Sequence, residues 1–413
     1  MTMDVKDISF MDPKVQVCPF EAYKAVREAG PVFVDPATGW YFITDYELVK
    51  NLTNDTVNLS SYTGLLMSKQ KSEVQDKLDH IYATEGYPQV PALVVMDPPD
   101  HGFHRSFVDK AFTPARVKAM ESYLEGVVDQ MIDAFIEKPE VEFRTALAAL
   151  VPQAVIADAL GMPRSDLPKL KRWTDAVISN QDQSHPEEKQ LELAHIICEL
   201  HRYAAEKVES FRGKPAECLL SDFANTKVDG RSLSMKEVAA ICEQVMAGGN
   251  DSSANAILNA MIRLIEKPAL QEQLRANREL IPAFVEETLR LDAPVQGLFR
   301  EPKKDLEIGG VKIPKGSVVV LKWGAANRDP AQFPEPDEIR MDRPNLRRHL
   351  TFGFGPHTCV GAQLARGELR VVLNKLFDRM KNFRYARGAA SVERETHFFV
   401  YAPRALYLSF DRV

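Results

Sequence analysis

The sequence predicts a mainly helical protein with small β-sheets, that is, an α+β fold. Apolar residues recur at three- and four-residue spacing over about 98–300 and about 360–380, which is the pattern of helices with one buried face. Shorter apolar runs bounded by turn residues indicate β-rich stretches at about 30–60, 300–325 and 395–410. A chain of 413 residues allows two or three domains, but no stretch has a linker composition, so one compact unit is equally allowed.

The N-terminal part predicts a helix and then a hairpin. The helix covers 19–28, and strands at 32–34 and 41–44 flank a Pro-Ala-Thr-Gly turn that ends at Gly39. A pair of core helices is expected over 145–162, where polar residues interrupt the longest apolar stretch.

The C-terminal part predicts strands on either side of one helix. Residues 305–321 carry strand patterns separated by glycine and proline turns, and a helix is expected over 362–379. The end of the chain, 397–410, predicts a hairpin with Pro403 at its turn.

The most informative predicted helix covers 234–267. Ser234 and Glu237 form a capping box and Pro268 marks the far end, so the helix is roughly 50 Å long and must cross the molecule. Its middle, 247–253, contains two adjacent glycines, each costing about 1 kcal/mol relative to alanine. Either a group approaches the backbone there or the helix has a kink with a solvated polar face; both readings stay open.

Charge and cysteine content exclude several classes of protein. The net charge of −6 gives no overall attraction to nucleic acid or anionic membranes. The charged segment 1–20 is neither a signal peptide nor a membrane anchor, so a soluble, cytoplasmic protein is expected. The five scattered cysteines argue against a disulfide framework or a zinc site, and only Cys359 has chemistry around it.

Cys359 stands in the string Phe-Gly-Phe-Gly-Pro-His-Thr-Cys-Val-Gly, which covers 352–361. The glycines of this string allow a tight turn and close approach to a flat ligand. The cysteine precedes a predicted helix, whose N-terminus favours an anionic sulfur. Such a thiolate can bind haem iron. The alternative reading is a glycine-rich loop with a buried structural thiol.

The string resembles the haem-binding signature of the cytochrome P450 family and matches it at every specified position. The resemblance implies a single domain over residues 1–413, with the long central helix crossing over haem b (iron protoporphyrin IX). It makes Cys359 the metal ligand and places Phe352, Gly353 and Gly361 around the cofactor. Glu287-Thr-Leu-Arg290 looks like the family's E-x-x-R motif and Arg343 like its third partner, a network expected to support the haem loop.

The same resemblance implies which residues hold the haem propionates. His101 and Arg105 lie four residues apart on one predicted helical face, and Arg300 and His357 would complete the clamp. His104 lies off that face and is expected to be a surface or structural histidine.

The middle of the long helix resembles the family's A-G-x-D/E-T-T pattern. Gly248 and Gly249 would border the haem, Asp251 would feed protons, and the Ser252 hydroxyl would hold the bound O₂. Gly248 stands where alanine is usual, which leaves more room. Ser252 replaces threonine and has a less fixed rotamer, so some turnovers are expected to yield peroxide.

The family implies insertion of one oxygen atom from O₂ into a C–H bond or alkene. No fused reductase is expected, so the two electrons would come from an external ferredoxin and an NAD(P)H reductase. An acidic donor would dock on the Cys359 side, where basic residues are expected at Lys110, Arg116, Arg347, Arg348, Arg366 and Arg370.

The resemblance also implies a mostly apolar substrate pocket. It would be lined by Tyr87, Gln89, Leu93, Val245, Gly248, Val295, Leu298, Phe399 and Val400. The lining predicts a small to medium hydrophobic substrate, such as a terpenoid, aromatic or alicyclic compound. The absence of arginine and lysine from this set disfavours a carboxylate-anchored fatty acid.

Three other functions are alternatives to a monooxygenase. A peroxygenase using H₂O₂ usually lacks the acid–alcohol pair that Asp251 and Ser252 provide. A haem-thiolate sensor would need a signalling domain or a filled distal site. A helical scaffold without haem conflicts with four motifs in the right order.

Overall fold

The structure is a computed structural model that describes residues 4–63, 74–180 and 185–413. Most of these residues are helical, as predicted. The α-helices are α1 (Pro13–Val17), α2 (Phe20–Ala29), α3 (Tyr46–Asn54), α4 (Gln75–Glu85), α5 (Asp100–Val108), α6 (Pro114–Ala119), α7 (Glu121–Asp133), α8 (Leu150–Leu160), α9 (Leu167–Ser179), α10 (Glu187–Phe211), α11 (Leu219–Asn225), α12 (Met235–Glu266), α13 (Pro268–Ala276), α14 (Ile281–Leu291), α15 (Trp323–Ala326) and α16 (Ala362–Arg379). Within the described ranges, no helix is long and apolar enough to cross a membrane.

The strands form small sheets. They are β1 (Val32–Val34), β2 (Tyr41–Ile43), β3 (Leu59–Ser60), β4 (Val141–Glu142), β5 (Leu298–Pro302), β6 (Leu306–Ile308), β7 (Val311–Ile313), β8 (Val319–Leu321), β9 (Met380–Tyr385) and β10 (Tyr407–Arg412). The largest sheet has the order β1-β2-β8-β5-β3, the second β4-β10-β9, and the third pairs β6 with β7. All pairs are antiparallel except β2 with β8.

The chain divides into two compact units. One contains residues 1–60, 118–151 and 252–413, and the other contains 61–117 and 152–251. The strands named above all belong to the first unit, whereas the described part of the second is built from helices. The expectation of a single domain over 1–413 stays a prediction.

The core of the first unit lies on both faces of the five-stranded sheet. Successive residues of a strand point to opposite faces, so Val319 and Leu321 pack into one apolar cluster with Trp323, while Val320 packs into another with Phe42. This double burial explains why the central strand β8 is wholly apolar.

Helix α12 has the predicted ends. The Glu237 carboxylate accepts hydrogen bonds from the Ser234 backbone nitrogen at 2.8 Å and from its hydroxyl at 2.7 Å, so the capping pair starts the helix. The helix runs unbroken for 32 residues and stops at Glu266, ahead of Pro268.

Two predicted elements are wrong. Helical spacing does not continue to 300, because Leu298–Pro302 is strand β5, paired with β8 and β3. The predicted hairpin over 397–410 is absent, since β10 pairs with β4 and β9 and Pro403 forms only an isolated bridge with Arg394. Proline donates no ladder hydrogen bond, and β9 offers β10 a longer partner.

Candidate functional site

Cys359 lies in the turn that leads into α16. Its backbone nitrogen donates to the Phe352 carbonyl at 2.8 Å, which closes the loop between the two residues. Inside the loop, Gly355–His357 forms a 3₁₀ turn. The Cys359 side chain is exposed, so the loop presents the sulfur at its surface.

The loop requires its glycines for the turn itself. Gly353 and Gly355 have φ of 69° and 68°, in the left-handed region that disfavours other residues. A Cβ at Gly353 would lie 3.3 Å from the His357 carbonyl oxygen, and one at Gly355 would overlap the Asn54 side-chain oxygen. The tight turn predicted from the sequence is therefore present.

The residues around Cys359 fit a haem-thiolate centre. Gly361 is the N-cap of α16, an 18-residue helix, so Cys359 stands just before a helix N-terminus, whose dipole favours an anionic sulfur. An exposed cysteine on a turn shaped by glycines, ahead of a helix, could supply a thiolate ligand to haem iron.

Glu287, Arg290 and Arg343 form one buried network. Glu287 accepts from Arg290 Nε at 2.6 Å and Nη2 at 2.9 Å, and from Arg343 Nε at 3.0 Å. Both arginines also donate to the Glu338 carbonyl, at 3.0 and 3.1 Å. Burial by itself raises the pKa of Glu287, but these hydrogen bonds outweigh it and the pKa is lowered. The network therefore ties α14 to the segment before the Cys359 loop.

A second network, which the sequence analysis missed, is centred on Glu286. This buried carboxylate accepts from His349 Nε2 at 2.9 Å and from Arg366 Nε at 2.7 Å. The Arg366 guanidinium also lies over the Phe352 ring, 4.5 Å from its centroid. Burial alone would raise the pKa of Glu286, but the two donors lower it to about 2.

The Glu286 network joins residues on both sides of the loop, since Phe352 precedes Cys359 and Arg366 follows it. Burial lowers the pKa of His349, so its ring is neutral and donates from Nε2. The only sequence signal was that Glu286 stands beside the motif residue Glu287.

The basic residues expected on the docking face differ in availability. Arg347, Arg348 and Lys110 are exposed. In contrast, Arg366 is bound to Glu286, Arg370 pairs with Glu121 at 2.7 Å, and Arg116 pairs with Asp222 at 2.7 Å. These three charges are already neutralised within the chain.

The propionate candidates of the first unit are Arg300 and His357. Arg300 lies on β5, is 4% exposed, and its Nη1 donates to the neighbouring Phe299 carbonyl at 2.7 Å. His357 ends the 3₁₀ turn before Cys359 and is partly buried.

The propionate candidates of the second unit are His101 and Arg105, both on α5. Burial, assisted by Arg105, lowers the pKa of His101 to about 4, so the ring is neutral at pH 7. Arg105 pairs with Asp109 at 2.8 Å. His104 is structural, since it is buried and its Nε2 lies 3.1 Å from Glu237.

The two glycines in the middle of α12 have different surroundings. A Cβ at Gly248 would meet nothing within 4 Å, and the residue is exposed. A Cβ at Gly249 would overlap the Ile156 side chain of α8. The next residue, Asn250, is buried and donates to Thr174 Oγ1 at 3.0 Å. Only Gly248 therefore leaves the backbone open to an approaching group, while Gly249 serves helix packing.

The predicted acid–alcohol pair, Asp251 and Ser252, comes directly after Asn250 on α12. Asp251 and Ser252 are partly buried on α12, and Ser253 is buried. Ser253 is hydrogen-bonded to Glu368 of α16, a carboxyl that is 1% exposed. Burial raises the pKa of Glu368 to about 8, so this group is protonated at pH 7. No sequence motif marks Glu368.

Helix α12 holds the segment around Leu93 within the second unit. Gln244 of α12 accepts from the Val94 backbone nitrogen at 3.1 Å and donates to the Ala92 carbonyl at 2.7 Å. It thereby holds Leu93, whose φ of 36° is unusual for a branched residue, against the helix that carries Val245.

Tyr87 and Gln89, also in the second unit, differ in exposure: Tyr87 is partly buried and Gln89 is not. The Tyr87 backbone nitrogen donates to His201 Nδ1 at 3.1 Å. Gln89 is exposed.

The remaining pocket candidates belong to the first unit. Val295 and Val400 form an antiparallel bridge, and the Gln296 backbone nitrogen donates to the Phe399 carbonyl at 2.7 Å. Leu298 pairs with Leu321 in the sheet. Three of the four candidates are therefore brought together.

Comparisons with known proteins agree on one family. The sequence model of the family described as Cytochrome P450 matches residues 49–385. A putative cytochrome P450, YjiB of Bacillus subtilis, is 33% identical over 87% of this chain and 86% of its own length.

Solved structures agree as well. Cytochrome P450 CYP109Q5 from Chondromyces apiculatus has a TM-score of 0.87 at 29% identity, covering 99% of both chains. CYP109E1 from Bacillus megaterium, solved in complex with corticosterone, has a TM-score of 0.83 at 28% identity, covering 96% of this chain and 99% of its own. The chain belongs to the cytochrome P450 family and is a haem-dependent monooxygenase.

Proposed function

We propose that this enzyme hydroxylates or epoxidises a small to medium hydrophobic substrate, with Cys359 as the thiolate that binds haem. The observation that carries the proposal is the exposed Cys359 side chain on the glycine-shaped turn before α16. Bound haem supplies O₂ activation and transfer of one oxygen atom. The apolar character of Val245, Val295 and Phe399 supports a hydrophobic substrate.

The chain's own residues would hold the cofactor and move protons. His101, Arg105, Arg300 and His357 are proposed to bind the propionates, with neutral His101 acting as a hydrogen-bond donor. Asp251 would take up protons and Ser252 would pass them toward the reaction centre. Gly248, with open space beside it, would leave room for the cofactor and the substrate.

Electrons are proposed to come from a ferredoxin-type donor supplied by an NAD(P)H reductase. Exposed Arg347 and Arg348, a few residues before the Cys359 loop, would attract an acidic donor.

Crystal complexes of CYP109E1 with corticosterone and testosterone support a hydrophobic substrate for this chain too.

The test is the spectrum of the reduced protein with CO. We expect a band at about 450 nm from a thiolate-bound haem. Cys359→Ser should abolish this band, whereas Cys18→Ser, which changes another exposed cysteine, should keep it. A band at about 420 nm in fresh, folded wild-type protein, or an intact band in Cys359→Ser, would contradict the assignment.

A further inference from the structure

Lys322 is a buried lysine directly after strand β8. It is 1% exposed, and its ammonium donates to the backbone carbonyl of Phe398. Three aromatic rings surround the nitrogen, with centroids at 5.4 Å for Phe10, 5.7 Å for Tyr23 and 6.0 Å for Phe42. The residue lies in the first unit, as do all its contacts named here.

An apolar side chain would fill this place at lower cost. Removing an ammonium group from water is expensive unless a carboxylate pairs with it, and within the described chain no carboxylate forms an ion pair with Lys322. Burial accordingly lowers the pKa of Lys322 to about 7. The contact with the Phe398 carbonyl is what an apolar residue could not make.

The segment that Lys322 holds has little regular structure. Residues 398–401 are not in a strand, and the backbone hydrogen bonds that resemble sheet pairing here are made with residues 294–296. The Phe399 carbonyl accepts from the Gln296 backbone nitrogen at 2.7 Å, and the Tyr401 nitrogen donates to the Pro294 carbonyl at 2.9 Å. Lys322 therefore anchors the start of the segment, where these sheet-like bonds have not begun.

We propose that Lys322 is a positioning residue that determines substrate specificity, because its bond to the Phe398 carbonyl fixes the backbone that presents Phe399 and Val400. The inference rests on the proposed function, which places those two side chains in the substrate pocket. Without the amine, the Phe398 carbonyl loses its donor, and within the described chain this peptide keeps only the longer bond from the Phe399 nitrogen to His397 Nδ1 at 3.3 Å, so the Phe399 ring can shift with it. A bulky ligand then contacts a pocket surface of changed shape at Phe399, whereas a compact ligand does not extend as far as that surface.

The experiment compares two haem ligands, imidazole and 4-phenylimidazole, by spectral titration of the holoenzyme. Imidazole reports on the haem alone, and the phenyl group reports on the pocket wall. In Lys322→Met, we expect the ratio of the two dissociation constants to change by about fivefold. Lys322→Arg, which keeps a cationic donor, should restore the ratio toward the wild-type value.

Lys303→Met is the matched control. Lys303 is exposed and its ammonium donates to the Thr56 carbonyl at 2.8 Å, so the variant removes the same kind of bond elsewhere and should leave the ratio unchanged. An unchanged ratio in Lys322→Met would overturn the proposal. Loss of folding in that variant would also do so, because the lysine would then support the whole fold. Failure of the proposed function looks different: the wild-type protein would give no band at about 450 nm.

Discussion

Glu368 is a glutamate whose carboxyl group keeps its proton at neutral pH, where an exposed glutamate is ionised. It stands on α16, its Oε2 is buried with no hydrogen-bond partner in the described chain, and its pKa is raised to about 8. A carboxyl group in such a place keeps its proton, because ionisation would leave a charge without water or a cation. The group is therefore a hydrogen-bond donor at neutral pH, next to Ser253.

Glu368 makes the protein less stable as the pH rises. Between pH 4.5 and about 8 the folded state binds a proton that the unfolded state has lost, so the free energy of unfolding falls by at most about 1.4 kcal/mol per pH unit. Glu368→Gln mimics the protonated acid and should lose less stability than wild type between pH 5 and 8 in urea denaturation. Glu272→Gln, at an exposed carboxylate, should behave as wild type. Equal pH slopes in all three proteins would refute the assignment.

Single residues were predictable from the sequence where a motif named them. The E-x-x-R spacing identified Glu287 and Arg290, which the structure places in one buried network. Glu286, Lys322 and Glu368 were not predicted, because a charged residue outside a motif is usually exposed. Only their tertiary neighbours show that they are buried.

At the scale of one element, the adjacent glycines of α12 have different roles, which the sequence alone did not distinguish. Gly249→Ala would place a methyl group on Ile156, and such overpacking typically costs about 1–3 kcal/mol. Gly248→Ala meets open space and should stabilise the helix by up to about 1 kcal/mol. Chemical denaturation of the two variants measures the difference. Similar changes in both would contradict the structural distinction.

Helix ends were predictable because their signals are local. Ser234, Glu237 and Pro268 stand at the ends of α12 and act on their own neighbourhood. Strand pairing was not predictable at 397–410, since β10 pairs with a strand that lies before it in the chain and outside that window. Partner choice is set by tertiary contacts, which no short window contains.

At the scale of the molecule, the Glu286 network joins three parts of the chain, namely α14, the segment that contains His349, and α16. Glu286→Ala leaves buried His349 and partly buried Arg366 without their shared acceptor, and breaking a buried charge pair costs about 3–5 kcal/mol. Thermal or chemical denaturation would measure this loss.

The matched control is Arg347→Ala. The Arg347 side chain is 79% exposed and lies 3.9 Å from Glu286, so its removal should cost less than about 1 kcal/mol. A loss in Glu286→Ala no larger than in Arg347→Ala would show that the network does not support the fold.

The fold class was predictable from the sequence, because helical spacing and turn chemistry repeat along the chain. The division into two compact units was not, since it breaks the chain at four places, three of which fall inside helices α6, α8 and α12. The family motifs identified candidate residues in both units, but not the side chains that support them.

The stacking of Arg366 on Phe352 has a consequence for how the protein acquires its prosthetic group. The contact joins the two flanks of the Cys359 loop through side chains of the polypeptide alone. Because the contact holds the two ends of the loop together, the loop behaves as a closed ring of chain. The conformational entropy that closure costs is therefore lost when the chain folds. A polypeptide that orders this loop by its own side-chain contacts would lower the ordering cost that haem binding has to meet.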